Sequence, residues 1–408
     1  MINKKVFQLI ENISALFSLK AIDLGLSLWL IPYLILKIGL HHYGVYAFAM
    51  SLVLFFVNVL NYGFNLSTVR ELAKHKDDQI KVNTIFNEVL SVKLFLFGVL
   101  YILFLGISFI IPKFSEHFNL YFFASLVLIG DLFSLRWFFM GIEKMKFITI
   151  IHLCSTLVFI GLILLNISKP SDYIIIPLYE ALGMFISSLF SFIWVLKKYN
   201  IQIGFISFKE VLIYLKTHFN SFINLLLPST SGVFIVFLSG MLGLPSFVGL
   251  TQIGIKLTAA FTTLNTILTN VFYPLVNRNN AMEFPTRKIL NILGFFVSVM
   301  MFVLGEFLTR NWLHFETEAM MQNMILIVKI LSPIPFLAAI VSSYGVNGLL
   351  TKYKDKLFGR ITIIASMTML LSAILLVPLY PITGAVLSFL IARIVYSALS
   401  YYFLKANS

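Results

Sequence analysis

"RWFFMGIEKMK", Arg136 to Lys146, is an apolar and aromatic run that stops at Gly141 and turns basic within five residues. "SYGVNGLLTKYKDK", Ser343 to Lys356, makes the same transition 207 residues later, measured from Gly141 to Gly348. An apolar run closed by lysines is how a membrane helix reads as it arrives at a cytoplasmic interface, where Lys and Arg collect. Trp137, Phe138 and Phe139 then read as interfacial aromatics. Gly141 and Gly348 read as residues that end a helix or permit a tight turn. The recurrence needs a further cause, and the rest of the chain supplies one.

Of the 408 residues, 59% are hydrophobic and 12% charged, with a mean hydropathy of +0.95. A soluble domain carries about 25% charged residues, so the solvent for most of this chain is lipid. The net charge of +13 would suggest nucleic acid in a soluble protein. Here the basic residues lie between apolar runs, which points to membrane orientation and away from nucleic acid. The one cysteine, Cys154, lies inside an apolar run and reads as a small buried hydrophobe. The opening "MINKKVFQLIENIS" breaks at Glu11 and Asn12, so no cleaved signal peptide is expected.

A membrane crossing needs about 20 mostly apolar residues. That ruler gives twelve crossings, centred near Leu26, Leu54, Leu100, Leu128, Phe159, Phe185, Ile235, Leu264, Val297, Leu337, Leu371 and Leu390. The loops are too short for a soluble domain. With twelve crossings, 20 loop Lys and Arg fall on the side of the N-terminus and 4 on the other. Both termini are therefore expected in the cytoplasm.

Three pairs of segments match in register. "GLHHYGVYAFAMSL" (Gly39–Leu52) resembles "GLPSFVGLTQIGIKL" (Gly243–Leu257), and "FNLSTVR" (Phe64–Arg70) resembles "FYPLVNR" (Phe272–Arg278). Together with the opening pair, their separations are 205, 208 and 207 residues. The expected fold is thus an all-α polytopic membrane protein. Its twelve helices form two parallel six-helix repeats, 1–205 and 206–408, with a substrate site at mid-membrane where the repeats meet.

Several charges fall within the apolar runs: Lys20, Lys93, Arg136, Lys256, Lys329 and Arg393, with Asp23, Asp131 and Glu180. Each costs roughly 2.5–3.5 kcal/mol at a helix centre unless it pairs or faces water. Lys20 and Asp23 share a helix face. Asp131 and Arg136 point about 140° apart, so each is expected to meet a different helix. Lys93, near a helix start, is expected to snorkel to the interface. Lys329 and Arg393 can snorkel too, and Lys256 lies deeper. None of these charges repeats between the halves. The interior leans basic, which favours an anionic group such as phosphate. Lys20, Arg136, Lys256, Lys329 and Arg393 are therefore substrate-binding candidates, and Asp23, Asp131 and Glu180 are ion-coupling or charge-pair candidates. No phosphate loop, H-E-x-x-H, cysteine cluster or G-x-S-x-G elbow occurs, so catalytic residues, metal and cofactor are not expected.

"YGVYAFAMSLVLFFVNVLNYGFNLSTVREL" (Tyr43–Leu72) and "WFFMGIEKMKFITI" (Trp137–Ile150) resemble motifs of the Wzx-type O-antigen flippases. These form the polysaccharide transporter branch of the multidrug/oligosaccharidyl-lipid/polysaccharide exporter superfamily. The resemblance runs the length of the chain and rests on framework motifs, which name no binding residue. It implies two six-helix lobes around a central cavity, in the bacterial inner membrane. It also implies a flippase that carries an undecaprenyl-pyrophosphate-linked oligosaccharide to the periplasmic leaflet by alternating access, often coupled to an ion gradient. Membrane lipids and other polysaccharide assembly proteins are the implied partners. The alternatives are a drug or cation antiporter, a lipid II flippase and an O-antigen polymerase. The polymerase family has one large periplasmic loop, which this chain lacks.

Overall fold

The computed structural model describes the backbone of residues 2–278 and 282–406, and all side chains there except those of 2–21, 23, 24, 27, 274, 275, 277 and 278. Lys20 and Asp23 are among the side chains outside the description. Among the described residues there are helices and no strand. In chain order they are α1 (Ile2–Leu60), α2 (Ser67–Lys74), α3 (Gln79–Ile110), α4 (Pro112–Ser115), α5 (Phe118–Leu132), α6 (Arg136–Gly141) and α7 (Lys146–Asn166). A 3-10 turn, Pro170–Ile175, leads to α8 (Ile176–Lys198), α9 (Phe208–Leu242), α10 (Pro245–Arg278) and α11 (Glu283–Trp312). Then come α12 (Glu318–Leu331), α13 (Ile334–Ile340), a π-helix (Val341–Leu350), α14 (Asp355–Leu379) and α15 (Gly384–Ala406).

Eleven stretches of the described residues are long and apolar enough to cross a membrane. Ten contain one expected centre each, from Leu100 to Leu390. The first, Leu28–Leu60, contains Leu54, while the twelfth expected centre, Leu26, precedes it in α1. At about 1.5 Å per residue the 59 residues of α1 far exceed a 30 Å hydrocarbon core. Gly39 resolves this, because at φ 76° and ψ 159° it breaks the helix into 2–38 and 40–60. Only glycine takes that conformation without steric cost. Along the spans many large apolar side chains point outward, among them Ile102, Phe109, Leu165, Phe190 and Phe296. Lipid accepts such a surface, and water does not.

By their contacts the residues form two compact units: Met1–Asp23 with Ala49–Thr230, and Leu24–Phe48 with Ser231–Ser408. In the first unit α8 packs against α5 and α7. The aromatic residues expected to form an interfacial belt are instead buried in this unit. Trp137, Phe138 and Phe139 are 3%, 0% and 1% exposed and pack with Phe86, Phe192, Phe64 and Tyr214 in one aromatic core. The aromatic run looked like a belt because composition does not tell a belt from a core. Gly141 gives space to Leu72, whose Cδ2 would lie 2.6 Å from an added Cβ. Cys154, expected to be buried, is exposed on the surface of α7; an apolar run in a membrane chain has an outer face as well as an inner one.

The segment after α8 is extended and lies along α3. Asn83 accepts from the Gln202 N–H, and Asn87 donates to the Gln202 carbonyl (2.8 and 2.9 Å). Asn87 also accepts from the Gly204 N–H, and Ser91 accepts from the Ile206 N–H (3.0 and 3.2 Å). Asn83, Asn87 and Ser91, on the second to fourth turns of α3, thus hold the linker.

In the second unit, Gly44 and Gly249 pack backbone to backbone. A Cβ on Gly44 would fall 1.7 Å from the Pro245 carbonyl oxygen. These two residues are the matched glycines of the first repeat pair. The opening pair of segments also closes alike. Glu143 and Tyr353 both have positive φ, 59° and 56°. The next N–H reaches back five residues in each case, Lys144 to Phe139 (2.9 Å) and Lys354 to Leu349 (3.0 Å). This is the Schellman closure of a helix. The two turns lie 210 positions apart, against 207 for the glycines.

Candidate functional site

The charged residues of the spans divide into paired and unpaired groups. In the first unit, α5 stops at Leu132 and α6 starts at Arg136. Lys93 of α3 points into that break. Its ammonium donates to the carbonyls of Asp131 (2.5 Å) and Ser134 (3.3 Å), and it lies 3.3 Å from the Asp131 carboxylate. Asn61, just past the end of α1, donates to the same carboxylate oxygen at 2.9 Å. Lys93 is 2% exposed and Asp131 5%. Lys93 therefore does not snorkel. Its placement near a helix start assumed that the helix begins with the apolar run, whereas α3 begins at Gln79. Arg136, five residues beyond Asp131, is exposed and makes no ion pair among the described residues.

In the second unit Lys329 meets Glu306 at 2.8 Å, and Glu306 also holds Arg310 at 3.1 Å. Lys329 is thus already partnered by an acid. Lys256 and Arg393 are half-buried and have no carboxylate partner among the described residues. The Arg393 guanidinium lies over the Phe389 ring at 5.1 Å. Glu180 is half-buried near the start of α8.

Reading for charge alone missed the neutral polar residues. α12 ends at Leu331 and α13 starts at Ile334. Asn265 donates to the Pro335 carbonyl at 2.7 Å, and Ser298 accepts from the Phe336 N–H at 2.8 Å. That N–H is one of the orphan donors of a helix start. Ser343 donates to Asn291 at 2.6 Å. Asn347, in the π-helix, is 1% exposed with both amide atoms unpartnered. A cleft of about 280 Å³ lies nearby, lined by Asn291, Phe336, Ile340, Tyr344, Ser397 and Tyr401. Glu306 had a legible signal, since "GEFLTR" puts it four residues before Arg310. Asn61 had none beyond its polar type.

Outside the spans, the Glu143 carboxylate bonds Lys76 at 2.7 Å and raises its pKa above the usual lysine value. Burial raises that of the Tyr62 phenol, which donates to the Leu215 carbonyl. No group of three or more His, Cys, Asp or Glu able to hold a metal ion occurs among the described residues.

The model of the polysaccharide biosynthesis protein family matches residues 9–280. The chain belongs to the polysaccharide biosynthesis protein family. Among its relatives, a protein of Escherichia coli (strain K12) with the name "Putative O-antigen transporter" is 24% identical over 99% of each chain. A Shigella dysenteriae protein of the same name is 26% identical over 94% of this chain and 97% of its own. Solved structures share the fold. The inward closed conformation of the lipid II flippase MurJ has a TM-score of 0.75 at 16% identity, over 97% of this chain and 87% of that one. An inward-facing multidrug resistance MATE family transporter of the MOP superfamily has a TM-score of 0.71 at 15% identity, over 94% of each. This member of the polysaccharide biosynthesis protein family is a multi-pass, all-helical membrane protein.

Proposed function

We propose that this transporter flips an undecaprenyl-pyrophosphate-linked oligosaccharide, an O-antigen repeat unit, from the cytoplasmic to the periplasmic leaflet of the bacterial inner membrane. The observation that carries the reading is the set of three basic residues, Arg136, Lys256 and Arg393, in or beside the spans with no carboxylate partner among the described residues. An unpaired cation there is costly unless it meets water or an anion, and a pyrophosphate headgroup is such an anion. The named relatives add their own cargo class to this argument. Cation export by an antiporter would favour the opposite sign.

In this reading the chain crosses the membrane twelve times, the first crossing lying before Gly39, and both termini are cytoplasmic. Residues 1–205 and 206–408 are two copies of one six-helix unit. Support comes from the two matching turns and the matched glycines. Arg136, Lys256 and Arg393 bind the pyrophosphate or sugar as the carrier alternates between the two faces. Lys20 remains a candidate on charge alone, and Lys329 acts through its pair with Glu306. Asp23 and Glu180 are candidates for ion coupling, and Asp131 is a charge-pair residue.

The test is reconstitution in liposomes with a fluorescent undecaprenyl-pyrophosphate oligosaccharide and an impermeant quencher, with and without an ion gradient. Protein-dependent exposure of inner-leaflet label is expected, falling about 10-fold or more in Arg136→Ala or Lys256→Ala, as for loss of a charge-assisted contact worth about 1.5–3 kcal/mol. Exposure of lipid II alone would reassign the cargo. No exposure of either lipid, with drug-dependent proton uptake instead, would replace the reading by an antiporter.

A further inference from the structure

The break between α5 and α6 has the donors of a monovalent-cation site. Two backbone carbonyls, of Asp131 and Ser134, converge with the Asp131 carboxylate on one point. Unwound backbone carbonyls and carboxylates at broken membrane helices are the ligands that membrane proteins offer to Na⁺ and to protons. At that point here sits the ammonium of Lys93. An ammonium has three N–H donors, and the three acceptors match that number. Asn61 donates to the same carboxylate oxygen that faces the ammonium and fixes it in place. Arg136 is the further charge that bears on Lys93.

We infer that this break is a monovalent-cation site whose resident cation is the Lys93 ammonium, carried covalently on α3. The first unit is therefore permanently loaded at this site and takes no free Na⁺ or K⁺ there. If export is driven by a cation gradient, the coupling ion binds elsewhere in the chain. This inference concerns the helix break alone and stands whatever the cargo is.

Removing the tether empties the site and leaves its ligands in place. The experiment is thermal unfolding of the purified full chain in detergent, in NaCl, KCl, ethylammonium chloride or N-methylglucamine chloride at constant ionic strength. The wild type is expected to unfold at one temperature in all four. Lys93→Ala is expected to unfold lower and to recover saturably, by about 5 °C for a ligand held near 100 times its Kd, with Na⁺, K⁺ or ethylammonium and not with the bulky organic cation. Lys93→Ala that ignores all four salts would overturn the inference. So would a saturable Na⁺ response of the wild type that Asp131→Asn abolishes. Should Lys93→Ala not survive purification, the fraction of Lys93→Gln and Lys93→Ala recovered folded from membranes solubilised in NaCl or in N-methylglucamine chloride is the readout. More folded protein in NaCl supports the site, and equal recovery overturns it.

Discussion

Among the described residues, the α5–α6 and α12–α13 breaks are both bridged by side chains, and they are mended differently. At the α5–α6 break an ion pair does the mending: Lys93 holds two carbonyls and the Asp131 carboxylate, with Asn61 on the same carboxylate oxygen. At the α12–α13 break the mending is neutral: Asn265 holds one carbonyl and Ser298 one N–H. Lys93 and Ser298 lie 205 positions apart, and Asn61 and Asn265 lie 204 apart, close to the spacing of the matched segments. Both breaks meet the same problem, the backbone of an interrupted helix in a low-dielectric medium. One uses charge and the other uses amide and hydroxyl. A charged solution is stronger while complete and worse when half removed, because the survivor is a buried, unpaired ion.

That contrast is open to measurement by thermal unfolding. Asp131→Asn leaves the Lys93 ammonium uncompensated and is expected to destabilise by about 3–5 kcal/mol. Asn265→Ala removes a buried hydrogen bond to the Pro335 carbonyl and is expected to cost about 1.5 kcal/mol. Ser298→Ala strands the Phe336 N–H, whose helix start is less confined, and is expected to cost about 1 kcal/mol. Lys76→Ala removes a surface pair with Glu143, and its effect is expected to stay below about 1 kcal/mol and to vanish in high salt. Asn265→Ala proving as damaging as Asp131→Asn would erase the distinction between the two breaks.

The membrane character of the chain and the eleven spans of its described residues were legible in composition and hydropathy, because a run of about 20 apolar residues has few other readings. The helix breaks were not. Phe133 to Leu135 and Ser332 to Pro333 lie inside apolar stretches, and only proline at the second gives a local sign. Of the charges, their presence was legible but their partners were not. Lys93 and Asp131 are 38 residues apart, and no local spacing links them. Lys329 and Glu306 likewise meet across two helices. Neutral patches such as Asn265 and Ser298 stay silent, since Asn and Ser occur throughout the spans without special meaning.

The linker along α3 carries a consequence for how this sequence is free to change. Its contacts join two scales of nearly equal pitch. Four residues of helix advance about 6.0 Å, from Asn83 to Asn87 to Ser91, and two residues of extended chain advance about 6.6 Å. They act as a vernier, in register for a few graduations and drifting beyond. These hydrogen bonds are made on the linker side by backbone, at Gln202, Gly204 and Ile206, while the side chains of Ile201 and Ile206 pack on the aromatic core. The exposed letter at Gln202 can therefore drift across generations, whereas Ile201 and Ile206 must stay apolar and the count of residues is held fixed.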